Sequence, residues 1–481
     1  MQKESNAQQQ EGGSAEEDLS SSSLVTYFAV VTQGLEFVAA QELRDSLPDV
    51  DIKDLRHEAG SGLLFFSLPS IKADGKALHR LGCCEGLFVL VLEGEDLPLE
   101  AEQLDPFMDS LAQNRGNAEA WRRALEVWRL HLCFTLDDEA LAERREELMA
   151  SSECVPTFRA SCTRIGSSQR WSSLDAEAAL GGALHESFGW PVSLKKYELE
   201  AFLQIHERHF LLGLSLTARP FMDELHSNHS SHKGARGKRR RARGLLKELG
   251  HTTLSPMIAH SLCLLAKLQP GQVVLDPFCG VGSIPIHAAN LCPQAVIFGT
   301  DISSGDIQHA RNNVQSWLNS ASSPSSPSVA LLQVGEGDAR AMPWRDGTVD
   351  VIISDMPFGV RSGSFHQMQK LYPVALREMS RVVRTNGMAY LLTSQRNLMN
   401  RNLEQQQRRW QLVTTHLLQV NRLEIVLYVL QRTAAPYVPK QKKRRALHSQ
   451  LKPNKQDEGK EEKKEETGPE QRSKTKLESL S

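Results

Sequence analysis

Apolar and polar positions change rhythm along the chain, and the changes separate its parts. Leu24–Thr32 clusters and alternates apolar residues, which predicts a strand. Leu35–Leu47 puts Leu35, Val38, Ala39 and Leu43 on one face at helical spacing. Gly62–Leu68 reads as another strand and Trp121–Leu132 as another helix. Past Pro156 come a strand at Thr157–Cys162 and a helix at Ser173–Phe188, capped by Ser172 or Ser173. Two short strands follow, Leu199–Ile205 and His209–Ser215, turning at Glu207–Arg208. This is an α+β pattern.

From about Leu245 the rhythm becomes a regular alternation. Short apolar runs stand at Val273–Leu275, Ala295–Gly299, Ala330–Val334, Val349–Ser354 and Met388–Leu392. Helical stretches, Ile284–Ala289, Ile307–Leu318 and Val374–Val383, lie between them. Such alternation predicts a parallel, doubly wound α/β sheet. Leu412–Leu418 and Glu424–Leu430 add two more strands. Seven strands closing in a hairpin fit a Rossmann-like class I methyltransferase domain better than a six-stranded dinucleotide fold.

Length and charge sharpen these limits. The 481 residues suggest two or three domains. The net charge is only −2, so no global basic signal marks a nucleic-acid partner. Local charge says more. Lys233, Arg236, Lys238, Arg239, Arg240, Arg241 and Arg243 crowd a Gly- and Ser-spaced segment, His226–Gly244, which reads as a basic linker. It is a candidate for phosphate contacts or for nuclear targeting. Residues 1–22 are polar and the stretch 433–481 is charged, so both are expected to be disordered. Domains are expected at 23–150, 151–222 and 247–432, with the linker at 223–246.

The eight cysteines form no C-x-x-C pair, so no metal site is expected. No signal peptide or membrane span is evident, which predicts an intracellular chain with reduced thiols. Trp121 and Trp128, seven residues apart, are expected in the core. Arg159, Arg164, Arg170, Lys195 and Lys196 are candidates for RNA contact or plain surface charge.

Two loops carry chemistry. Asp276-Pro277-Phe278-Cys279-Gly280-Val281-Gly282-Ser283 follows a strand and precedes a helix. Gly280 and Gly282 let the backbone approach the amino-acid end of S-adenosyl-L-methionine, and the following helix offers N–H groups to its carboxylate. Asp276 would attract the ammonium or sulfonium. Pro277 and Cys279 complete the loop. His287 stands where a dehydrogenase fingerprint needs a third small residue. Asp301 ends the second strand of this region, placed for the ribose hydroxyls, and Asp338 with Ala339 follows the third, placed for the adenine amino group.

The second loop, Ser354-Asp355-Met356-Pro357-Phe358-Gly359, ends the fourth strand. Its pattern resembles the D/N-P-P-F/Y loop of methyltransferases that act on planar amines. An exocyclic amine frees its lone pair only as the nitrogen becomes pyramidal. The Asp355 carboxylate and the Met356 carbonyl would hold both amine hydrogens in that geometry. Pro357 would stiffen the turn and Phe358 stack on an unstacked base. Met356 departs from the double-proline form, which speaks against standard DNA-adenine and glutamine enzymes.

On these loops, on Phe158–Cys162 through Phe188-Gly189-Trp190 with Leu199–Phe202, and on Ser255–Ala259, the chain resembles the THUMP-domain-containing RNA guanine-N2 methyltransferases. The likeness spans roughly Val25–Leu430 and implies much that the residues alone do not. It implies a ferredoxin-like unit at 23–150, a THUMP unit at 151–222 that grips RNA, and catalysis at 247–432. The expected product is N2-methylguanosine in a small structured RNA, a transfer RNA or a spliceosomal small nuclear RNA. A small zinc-binding activator subunit, forming a heterodimer, and a location in the nucleus and also the cytoplasm are expected. The alternatives are an amino methyltransferase on RNA adenine or protein glutamine, or an inactive RNA-binding scaffold. The insert at His226–Gly244 is not part of the family pattern.

Overall fold

The computed structural model describes residues 24–69, 75–135, 146–149, 154–166, 168–195, 197–216, 245–250, 253–321, 331–358, 365–420 and 423–435. All of them fall within one unit, 1–437. The expected disordered N-terminus, the basic run 226–244, Gly359, Lys196 and nearly all of the charged tail lie outside the described residues.

The first half begins with β1 (Val25–Val31), α1 (Glu36–Ser46), β2 (Lys53–His57), β3 (Leu63–Leu68), α2 (Gly75–Leu78) and β4 (Cys84–Gly94). These strands lie in the order β2-β3-β1-β4, a ferredoxin-like arrangement. Helices α3 (Leu104–Gln113) and α4 (Ala118–Thr135) follow, then β5 (Phe158–Ile165), α5 (Ser173–Phe188), β6 (Leu199–His206) and β7 (His209–Ser215). β7 pairs with β4, so both units share a single sheet of order β2-β3-β1-β4-β7-β6-β5. The sequence pattern passes over β4, because its run Leu87–Val91 is apolar on both faces and gives no period of two.

One face of this sheet packs on the helices, where Trp121 and Trp128 are buried as expected. On the other face Phe28, Phe88 and Phe202 stack across strands at 4.9 and 4.5 Å. The start of α5 is fixed by a capping box. Ser172 Oγ accepts from Asp175 N at 3.2 Å, and Asp175 Oδ2 accepts from Ser172 N at 2.7 Å.

The second half runs α6 (Pro256–Leu265), β8 (Val273–Asp276), α7 (Ser283–Leu291), β9 (Val296–Asp301), α8 (Ser304–Ala321), β10 (Leu331–Glu336), β11 (Val349–Asp355), α9 (Phe365–Val382), β12 (Val383–Thr393), α10 (Arg396–Gln405), β13 (Trp410–Val420) and β14 (Leu423–Arg432). The sheet order is β10-β9-β8-β11-β12-β14-β13. β8 through β12 run parallel, and only the closing hairpin is antiparallel. The expected seven-stranded α/β sheet is therefore present. Order reverses between β8 and β11, and the carboxyl ends of these neighbours define the crevice in such folds.

The two halves share one continuous apolar core, and β13 also closes on the turn before α1. Gly34 lies against β13, where an added Cβ would stand 2.0 Å from Leu417 O. Phe37 stacks on His416 with ring centroids 4.8 Å apart.

Candidate active site

The loop after β8 is shaped by the residues that precede and face it. Gly280 and Gly282 have φ of +50° and +90°, a region that L-residues avoid. Cys279 N donates to Thr300 O at 2.9 Å and Gly282 N to Cys279 O at 2.8 Å. Gly280 N donates to Asp301 Oδ2 at 3.0 Å, and Ser303 N to Asp301 Oδ1 at 2.9 Å. Asp301 thus organises the loop, with lone pairs left over for a ligand. A Cβ on Gly280 would meet nothing within 4 Å, so open space lies against the loop there. The close helix–strand approach that a third loop glycine would supply comes from Gly299 instead. A Cβ there would stand 2.9 Å from Pro285 Cγ and 3.0 Å from Cys279 Cβ. Pro277, Cys279 and Ala339 are buried. Burial, and then the negative charges of Asp276 and Asp301, hold the Cys279 thiol well above its usual range, so it is inert packing.

The loop after β11 sits beside it. Ser354 Oγ donates to Asp276 Oδ1 at 2.6 Å, and Phe278 N adds a second donor at 3.1 Å. Burial still pushes Asp276 up to about 7, against these donors and with a push from Asp301. Asp355 is pushed up to about 8, by burial first and the charge of Asp276 second. Its Oδ1 is shut off from solvent and meets no donor among the described residues.

The rest of this turn is braced from behind. Met356 N donates to Leu392 O at 2.9 Å, and the Met356 side chain is buried in the second sheet's core. Tyr372 Oη donates to Pro357 O at 3.0 Å and shares a 2.7 Å hydrogen bond with Thr393 Oγ1. Gln395 Nε2 donates to Phe358 O at 2.7 Å. Phe358 is half-buried against the core. Tyr372, Thr393, Gln395 and Gly299 carry no motif signal in the sequence. Their roles come from tertiary packing: Tyr372 reaches the turn from α9, Thr393 and Gln395 from the end of β12, and Gly299 from β9.

The structure thus brings Asp276, Asp301 and Asp355 to one sheet edge. Asp338 is at the same edge, but Arg340 grips both its oxygens through Nε and Nη2 at 2.7–3.0 Å. This charge-assisted pair holds the Asp338 carboxyl below its usual range, so an adenine amino group would have to share an occupied acceptor. Of the basic RNA candidates, Arg159 pairs with Glu200 at 2.8 Å and Arg170 with Glu100 at 3.1 Å, while Arg164 donates to Trp171 O.

The residues fit S-adenosylmethionine on chemical grounds. Two carboxyls at neighbouring strand ends, Asp276 buried and Asp355 with Oδ1 shut off from solvent, are each raised in pKa and call for a cationic ligand. The space beside Gly280 and the N-terminus of α7 suit its carboxylate end.

Comparisons with known proteins agree with this geometry. Residues 243–422 match the family described as the RMKL-like methyltransferase domain. The tRNA (guanine(6)-N(2))-methyltransferase THUMP3 of Homo sapiens is 27% identical over 492 aligned residues, covering 88% of this chain and 92% of that protein. The U6 snRNA (guanine-N(2))-methyltransferase THUMPD2 of Bos taurus is 24% identical over 434, covering 77% and 78%. The solved structure of TrmN from Thermus thermophilus shares the fold, with a TM-score of 0.56 and 22% identity over 85% of this chain and 99% of that one.

Proposed function

We infer, for a chain that belongs with the THUMP-domain guanine-N2 methyltransferases, that it methylates the exocyclic N2 of guanosine in a small structured RNA. S-adenosylmethionine, when bound, supplies an electrophilic methyl group. Asp276, Pro277, Cys279, Gly280, Gly282, Asp301, Asp338 and Ala339 would hold it.

The observation that carries the reaction is Asp355 Oδ1, which is shut off from solvent without a partner among the described residues and feels the charge of Asp276. A buried acceptor without a donor is costly, so it is kept for a donor that arrives with substrate. Asp355 and the Met356 carbonyl would take the two amine hydrogens. Tyr372 and Gln395 already occupy the next two carbonyls and so fix the turn. Such a turn acts by positioning more than by acid–base power. A carboxyl raised to about 8 is also suited to receive the proton that the methylated amine releases near neutral pH. Phe358 would stack on the flipped base.

The relatives act on transfer RNA and on U6 snRNA, and both RNAs are candidate substrates. The family resemblance adds a small zinc-binding activator as a heterodimer partner. The Lys440–Arg445 run supports a nuclear location. The test is co-expression with that activator, labelled cofactor and small RNA, and nucleoside analysis. Label in N2-methylguanosine, lost with Asp355→Ala, is expected. Label in another nucleoside, or none despite bound cofactor, would overturn the reading.

A further inference from the structure

Away from the catalytic crevice, three metal-ligating side chains meet at the seam between the two halves of the chain, and a fourth, His287, stands beside them. Glu42 lies on α1, Cys83 just before β4, His260 on α6 and His287 on α7. The ligand atoms of Glu42, Cys83 and His260 lie within 4.8 Å of one another, and all three residues are buried. His260 Nε2 is 2.8 Å from Glu42 Oε1, and Ser261 Oγ donates to Cys83 Sγ at 3.1 Å. Glu42 also accepts from Gly82 N and Cys83 N at 2.8 and 3.0 Å. The His260 ring lies on Gly82, where any Cβ would stand 2.5 Å from Nε2, so the imidazole is fixed in place.

His287 supplies a separate observation. It is 6% exposed, its ring stands edge-on to His260 at 5.7 Å, and neither ring nitrogen has a partner among the described residues. A histidine buried with both nitrogens orphaned needs an explanation, and an ion is one.

We propose that this cluster is a structural site for a zinc-class divalent cation, held by Cys83 Sγ, His260 Nε2 and a Glu42 oxygen, with His287 as the neighbouring fourth donor. Cys, His and carboxylate are the zinc ligand set. Coordination breaks the Cys83 S–H bond and releases that proton. The His260 Nε2 proton leaves for Nδ1 or solvent, and metal–sulfur and metal–nitrogen bonds replace both. The Ser261 hydroxyl and the Cys83 and Gly82 amides are the outer hydrogen bonds that orient such ligands. The ligands come from both halves of the chain, so the ion would tie them together. Glu42 and His260 are 218 positions apart, which is why spacing along the chain gives no hint of the site.

The test uses the full chain without the activator subunit, whose own zinc would confuse the count. It is dialysed against Zn²⁺ and then against buffer, and bound metal is measured by emission spectroscopy. Loading with Co²⁺ then reports on the ligands. One tightly held Zn²⁺ per chain and a thiolate-to-cobalt charge-transfer band are expected. Cys83→Ser should remove the band and weaken Zn²⁺ binding by about tenfold or more. His287→Asn should weaken binding while the band persists. A metal-free wild type, or Zn²⁺ held equally well by Cys83→Ser, would leave only a Glu42–His260 hydrogen bond and overturn the site. Circular dichroism of each variant separates lost binding from lost folding.

Discussion

Ser354 donates its hydroxyl proton to Asp276 across 2.6 Å, and this one bond joins the two chemical loops of the site. Ser354 is fully buried, so the bond has no water to replace it. Ser354→Ala should leave Asp276 short of a donor at a cost of about 1–3 kcal/mol. It should raise the Asp276 pKa further and weaken S-adenosylmethionine binding at pH 7. Calorimetric titration of both proteins at several pH values checks this. Equal affinities would remove Ser354 from the site.

Cofactor affinity should depend on pH. Asp276 and Asp355 are raised to about 7 and about 8 without ligand, and a cation nearby favours their ionised forms. Binding should therefore tighten as pH rises from 6 to 9 and release protons as it does so. A dissociation constant flat across that range would contradict the buried carboxyl pair.

Stability of the ligand-free protein should run the other way. Both folded pKa values lie above the usual 3.8, so the folded state holds protons that the unfolded chain has lost. The stability gained from those protons is complete below about 4 and disappears as pH climbs through 7 to 8. Each tenfold gain in proton affinity on folding is worth about 1.4 kcal/mol. Denaturant midpoints should fall over this window in the wild type and fall less in Asp355→Asn.

Asp355→Asn keeps the shape of the side chain but not its charge. Turnover should drop by about a hundredfold or more, the range seen when a preorganised transition-state contact is lost. Cofactor binding should largely persist. Stopped-time assays of kcat and KM for the RNA check this, and a change in KM alone would make Asp355 a binding residue only.

Tyr372→Phe should act on the turn without touching the cofactor loop. It removes the donor to Pro357 O and the partner of Thr393. A loss of about tenfold in kcat fits the 1–3 kcal/mol of an unpaired buried carbonyl. Cofactor affinity should stay as it was, and a matched fall in affinity would refute this division of labour.

Much of this was legible in the sequence, for physical reasons that differ by residue. The strands at β8 and β11 are apolar runs bounded by Asp-Pro and Asp-x-Pro, so strand ends and chemistry announce each other. α5 was legible to the residue because Ser172, Asp175 and Gly189 spell out both ends. Tyr372 and Gln395 were not, since Tyr372 reaches its carbonyl from the face of α9 and Gln395 from the turn after β12, 15 and 37 positions from their partners. The role of Asp338 was read from position, and local sequence could not show that Arg340, two residues on, takes its carboxylate. The cluster at Glu42, Cys83 and His260 was invisible because its members come from both halves of the chain.

The β4–β7 pairing bears on anyone who would cut this protein into parts. A nick near residue 150 separates two sequence units but divides no sheet, because the hydrogen bonds between the pieces cross the cut. Either fragment made alone would present a long, apolar strand with its N–H and C=O groups bare. Such edges recruit other strands, including copies of themselves. The smallest well-behaved piece of the first half is thus the whole of it.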